Sequence, residues 1–172
     1  MSETATDITA WFRGRLPDDW VAAAPADITV DRDEITVVLH LEAPDLADTD
    51  EAGRTEAVDG RIQRFRDETR DQRIEIARVA EHRFERKVSW GASIDGRTAL
   101  FTHLAVPAMT RLRQPERQVL DTLIAAGVAR SRADALAWCV RLVGRHTDDW
   151  LARLQTALDD VERVRAEGPD AA

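Results

Sequence analysis

Four histidines, one cysteine and adjacent acids such as Asp18-Asp19 and Asp148-Asp149 are the residues of this 172-residue chain that could do chemistry unaided. His40, His82, His103 and His146 lie in different segments, and no two of them have metal-ligand spacing. Glu81-His82 lacks the second histidine of the zinc-protease pattern. Cys139 falls on the apolar side of a helical pattern, where a thiol is a buried structural group rather than a nucleophile. The side chains of Asp18-Asp19 and of Asp148-Asp149 diverge, because sequence neighbours point apart, so neither pair suits acid–base work. Glycine-rich phosphate loops are absent. The expectation is a protein that is not an enzyme and carries no cofactor and no metal. What remains is a pair of alternating arginines, Arg111 and Arg113, whose planar forks suit bidentate contact with guanine.

The elements that must hold these arginines follow from punctuation and period. Pro107 breaks the chain, and Ala108-Met-Thr-Arg-Leu-Arg113 reads as a short extended segment. Pro115 then opens a helix in its first turn. That helix buries Val119, Leu120, Leu123 and Ile124, and Gly127 ends it in the position favoured for a left-handed cap. Ser131 is a good N-cap, with Asp134 three residues on as a capping-box variant. The helix it opens carries Ala135, Leu136, Cys139, Val140, Leu142 and Val143 at helical spacing. A last helix runs from about Thr147 to Ala166. Its apolar face of Trp150, Leu151, Leu154, Leu158, Val161 and Val164 suits core packing or a dimer contact.

Thr110-Arg-Leu-Arg113 leads into Pro115-Glu-Arg-Gln-Val-Leu-Asp121, and Ala126-Gly-Val-Ala-Arg-Ser-Arg-Ala-Asp-Ala-Leu136 forms the helix junction. This order resembles the ribbon-helix-helix family of Arc/MetJ/CopG-type DNA-binding repressors, over residues 108–145. The resemblance implies a homodimer in which two chains pair their strands into an antiparallel ribbon that enters the major groove. It implies that Thr110 and Leu112 face the helices while Met109, Arg111 and Arg113 face DNA. Ser131 and Arg132, with the backbone N–H groups opening the second helix, would hold a phosphate. The chain departs from the family pattern in placing the unit behind about 107 residues that the resemblance does not cover. A plain helical hairpin with solvated arginines is the alternative.

Those preceding residues read as an α+β region, 1–106, followed by a ribbon-helix-helix-like and helical region, 107–168, and a short tail, 169–172. Ile8 to Leu16 forms a short helix ended by Pro17. Two strands make a hairpin over 28–41, and Glu42 to Asp50 is an acidic loop. One long helix covers 51–86, with a stripe of Val58, Ile62, Phe65, Ile76, Val79 and Phe84 that is interrupted around Thr69 and Gln72. A second hairpin covers 87–104 around Asp95-Gly96, where both turn residues need positive φ. The fold class is therefore a small antiparallel sheet with a long helix, then the helical region. Trp90 and Trp138 read as core, and Trp11 and Trp20 as lining a pocket or an interface.

Charge is distributed unevenly. The net charge is −8, but residues 1–53 carry −10, residues 54–146 carry +6 and residues 147–172 carry −4. A basic middle is compatible with phosphate neutralisation, and an acidic start can limit non-specific DNA contact by repulsion. With 23 arginines and the single lysine Lys87, the basic set reflects a GC-rich bacterial genome and is no functional signal by itself. No apolar run approaches a bilayer span, the start does not read as a signal peptide, and one cysteine fits a reducing cytoplasm. Three functions are weighed: a dimeric transcriptional regulator binding DNA, a dimeric module binding another protein through its acidic N-terminal region, and a small ligand-binding domain near Trp11, Trp20 and His40.

Overall fold

Period-two alternation in Ile35-Thr-Val-Val-Leu-His40 places Ile35, Val37 and Leu39 on one face, and all three are fully buried. They belong to β2 (Glu34–His40), the second strand of a four-stranded sheet. The others are β1 (Asp27–Val30), β3 (Lys87–Ile94) and β4 (Arg97–Leu100), in the order β1-β2-β3-β4. The computed structural model describes residues 5–44 and 50–168, without the side chains of Asp148, Glu162 and Ala166. Part of the expected acidic loop, 45–49, and the tail, 169–172, lie outside the described residues, as does the Asp148 side chain of one acid pair. The chain forms two units, Met1–Pro107 and Ala108–Ala172, each considered by itself below.

The α+β class is as expected, but the sheet is not antiparallel throughout. The hairpins β1–β2 and β3–β4 are antiparallel, whereas β2 and β3 run parallel, with Ile35 beside Val88, Val37 beside Trp90 and Leu39 beside Ala92. Two helices intervene between β2 and β3 and return the chain to the end where β2 began, which is the crossover a parallel pair requires. β4 also stops at Leu100, short of the expected 104. Asp95 and Gly96 have φ of 50° and 82°, as the hairpin turn demands. Gly91 lets β4 lie close, since a Cβ there would meet Leu100 Cδ2 at 2.8 Å and the Ala99 carbonyl at 3.0 Å.

Three helices cover the apolar face of the sheet. α1 (Ala5–Arg15) contributes Ile8 and Phe12, α2 (Glu51–Glu68) Ile62 and Phe65, and α3 (Arg70–Phe84) Ile76, Ala80 and Phe84. Trp20, on a 3₁₀ turn at Asp18–Trp20, is core and not a pocket wall; its ring meets Phe65 and Trp90 edge-on at 5.6 and 6.1 Å. Trp11 is partly buried against Phe12 and Phe84. His40 bonds Asp27 at 2.9 Å, which ties β2 to β1.

The long helix expected over 51–86 is broken at Thr69 (φ −97°, ψ 2°) into α2 and α3. The Thr69 N–H and hydroxyl both donate to the Phe65 carbonyl, at 3.1 and 2.6 Å. Arg73 folds back, its Nε donating to Thr69 Oγ1 at 3.0 Å and its Nη2 to the Arg66 carbonyl at 2.6 Å. A side chain thus takes over a carbonyl at the break. Val79, placed in the apolar stripe by its spacing, is 38% exposed, because α3 turns Ile76, Ala80 and Phe84 inward and leaves Val79 at the edge of that face. Asp50 caps α2 by accepting from the Gly53 N–H at 2.8 Å, and Glu85 in the left-handed region (φ 54°) ends α3.

The C-terminal unit holds α4 (Gln114–Ala125), α5 (Arg132–His146) and α6 (Asp148–Glu167). Leu120, Ala129 and Ala135 are buried, with Leu112, Leu123, Ile124, Leu136 and Cys139 packed partly against them. Val119, Val140 and Val143, expected to be inward, are exposed, because two helices facing each other cover only the narrow strip between them. Trp138, expected as core, is half-buried. Among the described residues, no helix is long and apolar enough to cross a membrane.

Candidate nucleic-acid interface

The segment before α4 displays its basic residues because of how its neighbours are anchored. Leu112 packs on the cluster of Leu120, Ala129 and Ala135, which turns Arg111 and Arg113 on either side of it outward. Met109 is fully exposed, and so is much of Thr110, which the ribbon reading had facing the helices. Arg113 is extended (φ −77°, ψ 172°) and precedes α4 directly, so the arginine is held at a helix start. Arg117, one turn into α4, donates to the Leu112 carbonyl at 2.7 Å and fixes the end of the segment. Among the described residues, 108–113 have no strand partner.

The α4–α5 junction matches its local expectations at Gly127 and at the Ser131 cap, while Asp134 reaches past the cap to Arg130 instead of closing the box on Ser131. Gly127 has φ of 73°, and the N–H groups of Gly127 and Val128 return to the carbonyls of Ile124 and Leu123 at 3.0 Å each. Ser131 Oγ accepts from the Asp134 N–H at 3.2 Å, and the Asp134 carboxylate accepts from the Arg130 N–H at 3.0 Å. That backbone bond, with the Arg130 charge, holds the Asp134 carboxyl below its ordinary range.

Arg132 is committed. Its Nε and Nη2 donate to the two carboxylate oxygens of Asp121 at 2.8 and 2.7 Å, which links α5 to α4. The hydrogen bond lowers the Asp121 carboxyl and raises the Arg132 guanidinium from their usual ranges. Of the residues expected to form a site, Met109, Arg111 and Arg113 therefore share one exposed segment. Ser131 and Arg132 stand at the start of α5, with Arg132 already paired. Sequence reasoning missed Arg117, whose spacing of four from Arg113 was its only signal, and Arg130, which is 95% exposed beside the α5 cap.

The N-terminal unit holds a second basic feature that no motif announces. Arg73 is only 7% exposed and stacks over Phe101, its guanidinium carbon 4.7 Å from the ring centre. Burial lowers its pKa, and the neighbouring charges of Arg66 and Arg70 lower it further. These three arginines border a cleft of about 260 Å³ floored by Trp90 and Phe101. The buried Trp90 indole N–H has no acceptor among the described residues.

Comparison with known proteins divides the chain at nearly the same place as its packing. Residues 6–100 match the family model described as Rv1265-like protein, N-terminal domain, and residues 113–165 match the Mb1296 C-terminal domain. The uncharacterized protein Mb1296 of Mycobacterium bovis and the uncharacterized protein Rv1265 of Mycobacterium tuberculosis are each 55% identical to this chain over 166 residues. Each match covers 96% of this chain and 72% of the relative. No solved structure matches it.

Proposed function

This chain belongs to the Rv1265-like family, and we propose that it is a cytoplasmic, dimeric DNA-binding protein, a transcriptional regulator of ribbon-helix-helix type. Two copies pair residues 108–113 into a β-ribbon, and Met109, Arg111 and Arg113 of each copy enter the major groove. The observation that carries the reading is the alternation of an inward Leu112 between outward Arg111 and Arg113, immediately before a capped pair of helices. Among the described residues, 108–113 have no strand partner, so apart from the Leu112 and Arg113 carbonyls, which accept from Arg117, the backbone groups of the segment are open to a second copy. The backbone N–H groups at the start of α5, with Ser131, would meet a phosphate; Arg132 would join them only by releasing Asp121. The N-terminal unit would contribute regulation or additional phosphate contacts through Arg66 and Arg70.

The test is a fragment-shift titration with increasing salt. The full chain retards duplex DNA with a steep salt dependence, and the variant Arg111→Ala with Arg113→Ala loses that retardation while remaining dimeric. A folded dimer that binds no duplex at low salt overturns the proposal. The commitment of Arg132 to Asp121 favours a second reading, a dimeric module that uses the same unit only to pair and binds a protein through its acidic first 53 residues. Such a module stays dimeric and ignores DNA at every salt concentration.

A further inference from the structure

α6 is a 20-residue helix none of whose described residues is buried. Trp150, Leu151, Leu154, Leu158, Val161 and Val164 are each between 41 and 61% exposed. At helical spacing they form one continuous stripe along the helix, with Ala157 in its middle. An apolar face of this length, about 21 Å from Trp150 to Val164 at about 1.5 Å per residue, is a surface made to be covered.

We propose that the α6 stripe is a self-association surface, on which α6 of a second copy lies antiparallel. Three observations select that occupant. First, the flanks carry both signs of charge in a self-complementary order. Arg153 and Asp160 lie seven residues apart on the same edge of the stripe. A register that sets Trp150 against the partner's Val161 and Leu154 against the partner's Ala157 also sets Arg153 against the partner's Asp160. Two-fold symmetry makes that charge pair twice. Arg153 has no acidic partner in its own chain among the described residues, and Asp160 meets only the exposed Arg163, at 2.8 Å. Second, a parallel pair would stack Trp150 on itself and Ala157 on itself, alternating excess and missing volume, and would align the two helix dipoles. Third, residues 147–172 carry a net charge of −4, which disfavours an anionic lipid surface or a nucleic acid as the cover. This surface is separate from residues 108–113, so the inference does not rest on the DNA-binding reading.

The experiment uses the full chain. Sedimentation velocity over a range of concentrations compares the natural sequence with the variant Leu154→Arg plus Leu158→Arg. The natural protein should populate a larger species, and the variant should need at least about tenfold more protein to reach it. Because the double variant could weaken the helix itself, orientation is read independently by cross-linking. Arg153→Cys and Asp160→Cys are each made with Cys139→Ser, then oxidised alone and as a mixture. The mixture should give a disulfide between the two variants, and neither variant alone should link to itself efficiently. Self-linking of each variant alone would mean a parallel pair and overturn the proposal. No linking in the mixture, with sedimentation unchanged by the double variant, would mean that the stripe is covered by the chain itself or by a different protein, and would overturn it equally.

Discussion

The two units of this chain treat their apolar residues in opposite ways. Among its described residues the N-terminal unit gathers sixteen buried side chains between three helices and one face of a sheet, and those strands pair within the chain. Among the described residues the C-terminal unit buries three, leaves Val140, Val143 and the α6 stripe in solvent, and precedes its first helix with a segment that has no strand partner. Both have the composition of folded domains, so the difference lies in what completes each one. The first covers the apolar face of its sheet with its own helices. The second has amphipathic elements whose apolar faces are left uncovered among the described residues, which is what the proposed association would complete.

The largest expected effect lies in the N-terminal unit. Phe12→Ala removes a fully buried ring that contacts Trp11 and Trp90, and should destabilise that unit by about 3–5 kcal/mol. Denaturant titration at two protein concentrations measures the loss. It should be the same at both, because this core is built from the unit's own helices and strands; a concentration-dependent loss would break the contrast.

Next comes the basic segment. Arg111→Ala with Arg113→Ala should weaken duplex binding by about a hundredfold, while sedimentation stays unchanged because neither side chain is needed for packing. A parallel fall in dimerisation would shift the role of these arginines from binding to assembly. Smaller still is Ser131→Ala, which removes the α5 cap and should cost about 1 kcal/mol in the C-terminal unit alone, read as a lower melting temperature at fixed concentration.

The smallest effect is a pH dependence confined to the C-terminal unit. Asp121 and Asp134 are more acidic in the folded chain than in the unfolded one, so the unfolded state binds more protons as pH falls. Their contribution is present above the ordinary aspartate range, near about pH 4, and is lost as pH falls through the lowered folded values. Replacing Arg132 by Ala should remove the Asp121 part and flatten the stability profile below about pH 4. An unchanged acid limb would mean that this exposed pair contributes nothing measurable, which is common for such pairs.

Local chemistry was legible in the sequence wherever the deciding residues are neighbours. Asp95-Gly96, Gly127 and the Ser131–Asp134 cap each depend on a few consecutive side chains and backbone angles, and each adopts the expected geometry. Features that depend on distant partners were not legible. The parallel pairing of β2 with β3 is set by where a helical excursion returns, and alternation within a strand carries no record of that. The break at Thr69 is stabilised by Arg73, whose side chain is drawn inward by Phe101 from the end of β4. Arg132 looked available because Asp121 stands eleven residues away on another helix. At the candidate interface the sequence was informative about which residues alternate, and less so about Thr110, whose exposure follows from the lack of anything beside it.

Amide hydrogen exchange across residues 109–113, followed as protein concentration is lowered, tests the central claim most directly. Paired ribbons predict slow exchange at high concentration that becomes fast on dilution, together with the loss of dimer. Fast exchange in this segment at every concentration, from a protein that is nevertheless dimeric, would contradict it.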